Sequence, residues 1–219
     1  MTTIDQSRVV RTYARAARTA HEALTALDQI SGDGDFGDNL RDGLDATVAA
    51  LDAGPDVSAT AVAGSVFLDE VGGTSGPLIG LLFNEVSRAL NETADDRAGW
   101  TEGVRSGLAA IQRVGEADPG DRTLVDALVP ALDALAGGGS WTNVAEAALS
   151  GASATADVRA RRGRASYLGE RAVGSPDPGA TGLALLFWAL ARVAEPDARL
   201  GDVQELVPVP RGPEQTGTR

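Results

Sequence analysis

Apolar residues along this chain recur at spacings of three and four. Val10, Tyr13, Ala17, Ala20, Leu24 and Leu27 trace one stripe, the face of an amphipathic helix. Trp100, Val104, Leu108 and Ile111 form a second stripe, and Leu124 (or Val125), Leu128, Leu132 and Leu135 a third. Leu183, Leu186 with Phe187, Leu190 and Val193 form a fourth. No stretch alternates at period two, and Val-, Ile- and Thr-rich runs bounded by turns are missing, so strands are not expected. Gly, Pro and Asp/Asn clusters cut the pattern into eight helical segments, near 4–28, 38–53, 58–71, 76–91, 97–114, 121–136, 141–159 and 179–194. Ser58, Ser75 and Asp121 stand where N-caps belong, and Pro77 falls in a first turn.

Short connections make successive helices antiparallel. If all eight alternate up and down, connections one, three, five and seven share an end. These are the Asp/Gly loop after Asp28, Gly72 to Pro77, Asp118 to Thr123, and Arg162 to Gly179, which are the chemically unusual ones. Connections two, four and six are ordinary turns. The expected architecture is therefore all-α, one antiparallel up-down bundle over residues 1–195 with its candidate motifs at one mouth. A Pro-containing tail follows over 196–219.

Charge and composition narrow the functions. The 219 residues carry a formal charge of -12, which repels nucleic-acid backbones and anionic membranes. The apolar stretch from Ala180 to Ala194 is shorter than the ~20 residues that span a bilayer and reads as a buried helix. Cysteine is absent, which excludes disulfides, thiolate metal sites and thiol nucleophiles; a reducing cytoplasm fits, and no leader pattern opens the chain. All 19 cationic side chains are Arg, which either a high-salt cytoplasm or a GC-rich genome explains.

The densest chemistry is Asp28 followed by Gly32-Asp33-Gly34-Asp35-Phe36-Gly37-Asp38-Asn39. So many carboxylates on a glycine-rich turn make sense around a hard, oxygen-seeking cation. An EF-hand would need an acid at the fifth loop position and Gly at the sixth; counted from Asp33 these are Gly37 and Asp38. The competing reading is an Asp/Gly turn with Asp38 capping the next helix. Gly72-Gly73-Thr74-Ser75-Gly76 leads into a helix start, which suits phosphate or serves as a flexible cap. A Walker A loop is excluded because it needs Lys. The seventh connection is long and concentrates Arg, whose forks suit phosphate oxygens and equally pair with surface acids. His21, the one histidine, lies seven residues before Asp28 and reads as structural, as do Tyr13 and the three Trp.

Asp28 to Asn39, Gly72 to Gly80, Gly120 to Leu128 and Gly163 to Ala180 resemble, in order, the signature segments of the nucleotide-binding L subunit of dihydroxyacetone kinase. The resemblance implies an eight-helix up-down barrel with ADP or ATP and two Mg2+ ions at one end. By motif it implies Asp28, Asp33 and Asp35 as magnesium ligands. It implies Phe36, Gly37, Asp38 and Asn39, with Thr74 and Ser75, as phosphate contacts. Gly120 and Leu124 fall in the segment associated with base and sugar, and Arg171, Asp177, Pro178 and Gly179 match the remaining contacts. It further implies a separate K subunit that holds dihydroxyacetone on its own histidine. Whether bound ADP is recharged by a phosphotransferase-system donor subunit or ATP exchanges freely stays open. The chain departs from the family pattern at Phe36, where His is usual, at Arg122, where Lys is usual, and at Gly174-Ser175-Pro176. Two alternatives stand beside this reading: a kinase subunit for another small ketose or carrier-bound substrate, and a non-catalytic metal- or nucleotide-binding regulator.

Overall fold

The computed structural model describes residues 3–54, 58–167, 172–207 and 209–210. The stripes fold as α1 (Gln6–Ser31), α2 (Phe36–Ala53), α3 (Ala59–Asp69), α4 (Ser75–Glu92), α5 (Asp96–Gly115), α6 (Val125–Ala136), α7 (Trp141–Ala154) and α8 (Pro178–Ala194). A single turn, α9 (Val203–Leu206), follows, and the described residues contain no strand. Each long helix packs on its neighbours in sequence, and α8 returns to α1, closing a ring. Within it, α8 is apolar on nearly every side and is buried against α1, α2, α6 and α7. No described helix is long and apolar enough to cross a membrane.

The core runs the length of the ring. Tyr13, Phe67 and Phe83 form a tilted aromatic cluster with centroids 6.1–6.4 Å apart. The buried Tyr13 hydroxyl donates to the Gly182 carbonyl at 2.9 Å, so the aromatic body is buried without an orphan polar tip. Where α1 and α2 cross, Gly37 lets the backbones approach. A Cβ there would lie 2.8 Å from the His21 carbonyl oxygen and 2.9 Å from the Thr25 nitrogen.

Helix ends differ from the sequence expectation in instructive ways. α1 runs to Ser31, past the expected end at 28, because Asp28 stays helical and the Gly32 N–H closes on its carbonyl. α2 starts at Phe36, before the expected 38, because the Asp28 carboxylate accepts the Phe36 N–H at 3.0 Å. Asp38 is thus in the first turn and is not the cap. α4 begins at Ser75 itself, with Thr74 at the cap position. α6 begins at Val125, since Asp121 accepts from Asp118 inside the preceding turn and does not cap the helix. α7 ends at Ala154 and passes into a 3-10 turn over Thr155–Asp157. Of the described residues beyond α8, Val203 and Val207 are in the core and Leu200 and Leu206 pack against it.

One asymmetry separates the two ends of the ring. The odd-numbered helices start at the end away from the unusual loops, and each is capped by a side chain: Asp5, Ser58, Asp95 and Ser140. There, too, Glu195 accepts from the Trp141 and Thr142 amides, both at 2.9 Å, beneath an Arg97 guanidinium stacked 3.9 Å over the Trp141 ring. Of the even-numbered helices, α2, α4 and α6 have no side-chain bond from their cap residues Asp35, Thr74 and Leu124. α8 alone among them is capped at that position, by Asp177.

Candidate nucleotide and metal site

A cavity of about 340 Å³ opens where the even-numbered helices begin. All four unusual connections line it. Asp28, Asp33 and Asp35 form one wall, with Phe36 and Asn39; Gly72, Gly73, Thr74 and Ser75 form the next. Opposite are Arg122 to Val125, Arg162 and Gly163, and Asp177, Pro178 and Gly179. Leu78, Ile111 and Ala117 make an apolar floor between α4 and α5.

Local conformation aims these groups. Gly34 is left-handed at φ 86°, which reverses the chain between Asp33 and Asp35 at little cost. The Asp28 carboxylate is anchored through one oxygen by the Phe36 amide. Phe36 is buried, its ring against Gly182 of α8, where an added Cβ would lie 2.7 Å away. The fifth connection is held by Asp126, whose two carboxylate oxygens accept from the Gly120 N–H at 2.6 Å and the Thr123 N–H at 2.8 Å. Thr123 in turn accepts from Val125, so Thr123 and Asp126 make a capping box one residue ahead of the helix.

The expected site residues divide accordingly. Asp28, Asp33, Asp35, Phe36, Asn39, Thr74, Ser75, Leu124, Asp177, Pro178 and Gly179 share the cavity. Gly37 does not line it and serves the α1–α2 crossing. Asp38 points away, 2.8 Å from His21 Nε2 and 2.7 Å from Arg41 Nη2; the His21 hydrogen bond, then Arg41, hold its carboxyl below the usual range. Gly120 is left-handed at φ 90°, does not line the cavity, and donates its N–H to Asp126. Arg171 lies outside the described residues. Among the described residues, no three acidic or histidine side chains already stand around a common point.

Three features were not anticipated. The α5 end, Ile111 and Gly115, reaches the cavity; antiparallel packing places the C-termini of odd helices there, which is the signal that would have found it. Asp126 was legible as the last residue of a Thr-x-x-Asp box. Arg122 is buried, left-handed at φ 62°, and donates through Nη2 to the Ala172 and Ser175 carbonyls at 2.8 and 2.9 Å. Its burial lowers the guanidinium pKa, and the facing Asp177 carboxylate opposes that shift. Burial pushes the Asp177 carboxyl up to about 6; the Ala180 amide and Arg122 work against the rise, while Asp126 and Asp28 add to it.

Comparison with known proteins places this architecture. A family model described as the DAK2 domain matches residues 30–192. The chain belongs to the DAK2 domain family. This DAK2 domain is similar to the PEP-dependent dihydroxyacetone kinase 1, ADP-binding subunit DhaL, of Listeria innocua, at 40% identity over 172 residues, 77% of this chain and 85% of that one. It is similar to the Escherichia coli DhaL subunit at 35% identity, covering 81% of this chain and 90% of the subunit. An L-erythrulose 1-kinase of Mycolicibacterium smegmatis is 38% identical over 83% of this chain, which spans only 34% of that protein. The crystal structure of the C. freundii dihydroxyacetone kinase in complex with AMP-PNP and Mg2+ aligns with TM-score 0.69 and 28% identity, over 88% of this DAK2 domain and 35% of that chain.

Proposed function

We propose that this DAK2 domain is the ADP/ATP- and Mg2+-binding subunit of a dihydroxyacetone kinase, which presents a phosphoryl group to dihydroxyacetone held by a separate K subunit. The observation that carries the reading is the asymmetry of helix capping. The cap residues of α2 and α4, Asp35 and Thr74, make no side-chain bond to their helices, and the one α2 amide held by a side chain, the Phe36 N–H, is bonded to Asp28 of the carboxylate wall itself. Free first-turn N–H groups and the positive end of the helix dipole are suited to phosphate oxygens. The two motifs serve one ligand, since a triphosphate bound at the helix starts needs cations to offset its charge.

The donor set fits magnesium. The wall offers Asp28, Asp33 and Asp35 with the hydroxyls and amide of Thr74, Ser75 and Asn39, all hard oxygen donors, and no sulfur or imidazole. Side-chain rotation would bring the three carboxylates together on binding, with room in the donor set for the two ions the resemblance implies. Magnesium held there supplies charge neutralisation on the phosphate oxygens. Asn39, Thr74, Ser75 and the α2 and α4 amides position the phosphates. Phe36 seals the α2–α8 seam in place of a polar side chain. Arg162, at the rim, and Arg171 supply cationic charge, and Gly37, Asp38 and Gly120 support the wall from behind. Catalysis is then positioning plus electrostatics, without a covalent intermediate on this chain.

Titrating ADP into the protein with and without magnesium tests this reading. Binding that depends on magnesium, and that falls at least tenfold in Asp33→Ala, Asp35→Ala, is expected. Unchanged binding in that double variant overturns it. The similarity to erythrulose kinases favours a second reading, another small ketose as acceptor. A ketose panel assayed with the partner subunit separates the two, and transfer to no acceptor identifies a binding regulator. The PEP-dependent relatives support recharging of bound ADP by a phosphotransferase-system donor.

A further inference from the structure

We propose that Arg122 is a positioning residue of the cavity: its buried guanidinium clamps the return of the seventh connection, so that Asp177, Pro178 and Gly179 stand opposite the carboxylate wall. The proposal rests on the nucleotide-site reading for what the wall binds. Its own basis is the hydrogen-bond geometry.

Both Nη2 donors of Arg122 are spent on main-chain carbonyls, Ala172 and Ser175, fifty residues or more along the chain. Those carbonyls belong to the segment that delivers Asp177 to the cap of α8. Two further bonds tie the same segment to the 3-10 turn that follows α7: Gly174 N–H to the Ala156 carbonyl at 2.8 Å, and Asp177 N–H to Thr155 Oγ1 at 2.7 Å. Arg122 ties this return segment to the fifth connection, across the cavity's own wall; Asp121 beside it holds only the start of the seventh connection, accepting from the Arg161 N–H and pairing with Arg162. Its left-handed backbone turns the side chain inward, and its Nε and Nη1 have no hydrogen-bond partner. A buried cation in a sparsely populated backbone conformation, with three of its five N–H donors idle, is not explained by local stability. It is explained if holding the two connections in register is what the position does. The nearest countercharge, Asp177, is on the segment being held.

Lys can donate to both carbonyls and keeps the charge, whereas Met keeps only the volume. The experiment compares the full chain with Arg122→Lys and Arg122→Met. It measures amide hydrogen exchange by mass spectrometry over peptides spanning 172–180, and affinity for ADP with magnesium chloride by calorimetry. In Arg122→Met, exchange over 172–180 rises about tenfold, α6 and α7 peptides are unchanged, and ADP affinity falls about tenfold. In Arg122→Lys both stay within about threefold of wild type. Lost affinity with unchanged exchange overturns the proposal in favour of direct ligand contact. Faster exchange with unchanged affinity, failure of Lys to rescue, or global unfolding of both variants also overturns it. A wild-type protein that does not bind ADP with magnesium refutes the nucleotide-site reading, while the exchange comparison still reports on the clamp.

Discussion

Replacing Asp177 by Asn isolates the electrostatic cost built into the cavity wall. Asp177 caps α8 through a 2.7 Å bond from the Ala180 amide, with its carboxyl pushed from 3.8 to about 6. Because the folded value is raised, the unfolded chain ionises first as pH rises. Stability is therefore lost between about pH 4 and 6 and does not return above it. At about 1.4 kcal/mol per pH unit, the rise bounds the cost at ~3 kcal/mol. Two terms reduce it: the carboxylate is partly open to the cavity, and its charge gains about 0.3–1 kcal/mol from the helix start. Asn caps about as well as Asp, so the variant should gain roughly 1–2 kcal/mol at neutral pH, a Tm rise of about 2–8 °C for a chain of this size. Thermal melts of both proteins in EDTA at pH 4, 5, 6 and 7.5 measure it. The expected difference is near zero at pH 4, grows to pH 6 and is flat above. An Asn variant less stable at pH 7.5, or a difference that ignores pH, refutes the account.

Two further substitutions probe the frame. Gly37→Ala places a methyl against the His21 carbonyl and the Thr25 amide; overpacking should cost about 1–3 kcal/mol, seen as a lower denaturant midpoint with an unchanged slope. Glu195→Gln puts an amide donor where a carboxylate accepts from Trp141 and Thr142. Burial opposes ionisation of Glu195, but those bonds and Arg97 outweigh it and leave its pKa below the ordinary value. The carboxylate's stabilisation is thus present above the ordinary glutamate range and fades in more acid solution. The variant should lose about 1–2 kcal/mol at pH 7 and much less at pH 3, by thermal melts.

What the sequence made legible was periodic or compositional. The helices show because a buried face imposes spacing, as in the Val10 to Leu27 stripe of α1. The cavity loops show because glycines and carboxylates cluster there, and alternation of direction puts them at one end. What stayed hidden depends on how helices are rotated against one another. Asp38 was grouped with its loop neighbours, yet the α1–α2 crossing that buries Gly37 turns it to the outside, onto His21 and Arg41. The α2 start was misplaced because its cap comes from Asp28, eight residues upstream. Arg122 stood out only as a departure from the family pattern, because nothing local in sequence marks a guanidinium whose partners are fifty residues away.

The closed ring has a consequence for the order in which the molecule comes into being. The cavity takes its walls from residue 28 through residue 179, and α8 both carries the last wall and completes the packing against α1. No fragment released early in synthesis holds the whole site. A nascent chain lacking α8 has the carboxylates and the starts of α2 and α4 but lacks the Pro178 and Gly179 part of the facing wall and the helix that closes the ring. Ligand capture therefore waits on completion of the core, and the finished cavity reports that the chain through α8 has been made and folded.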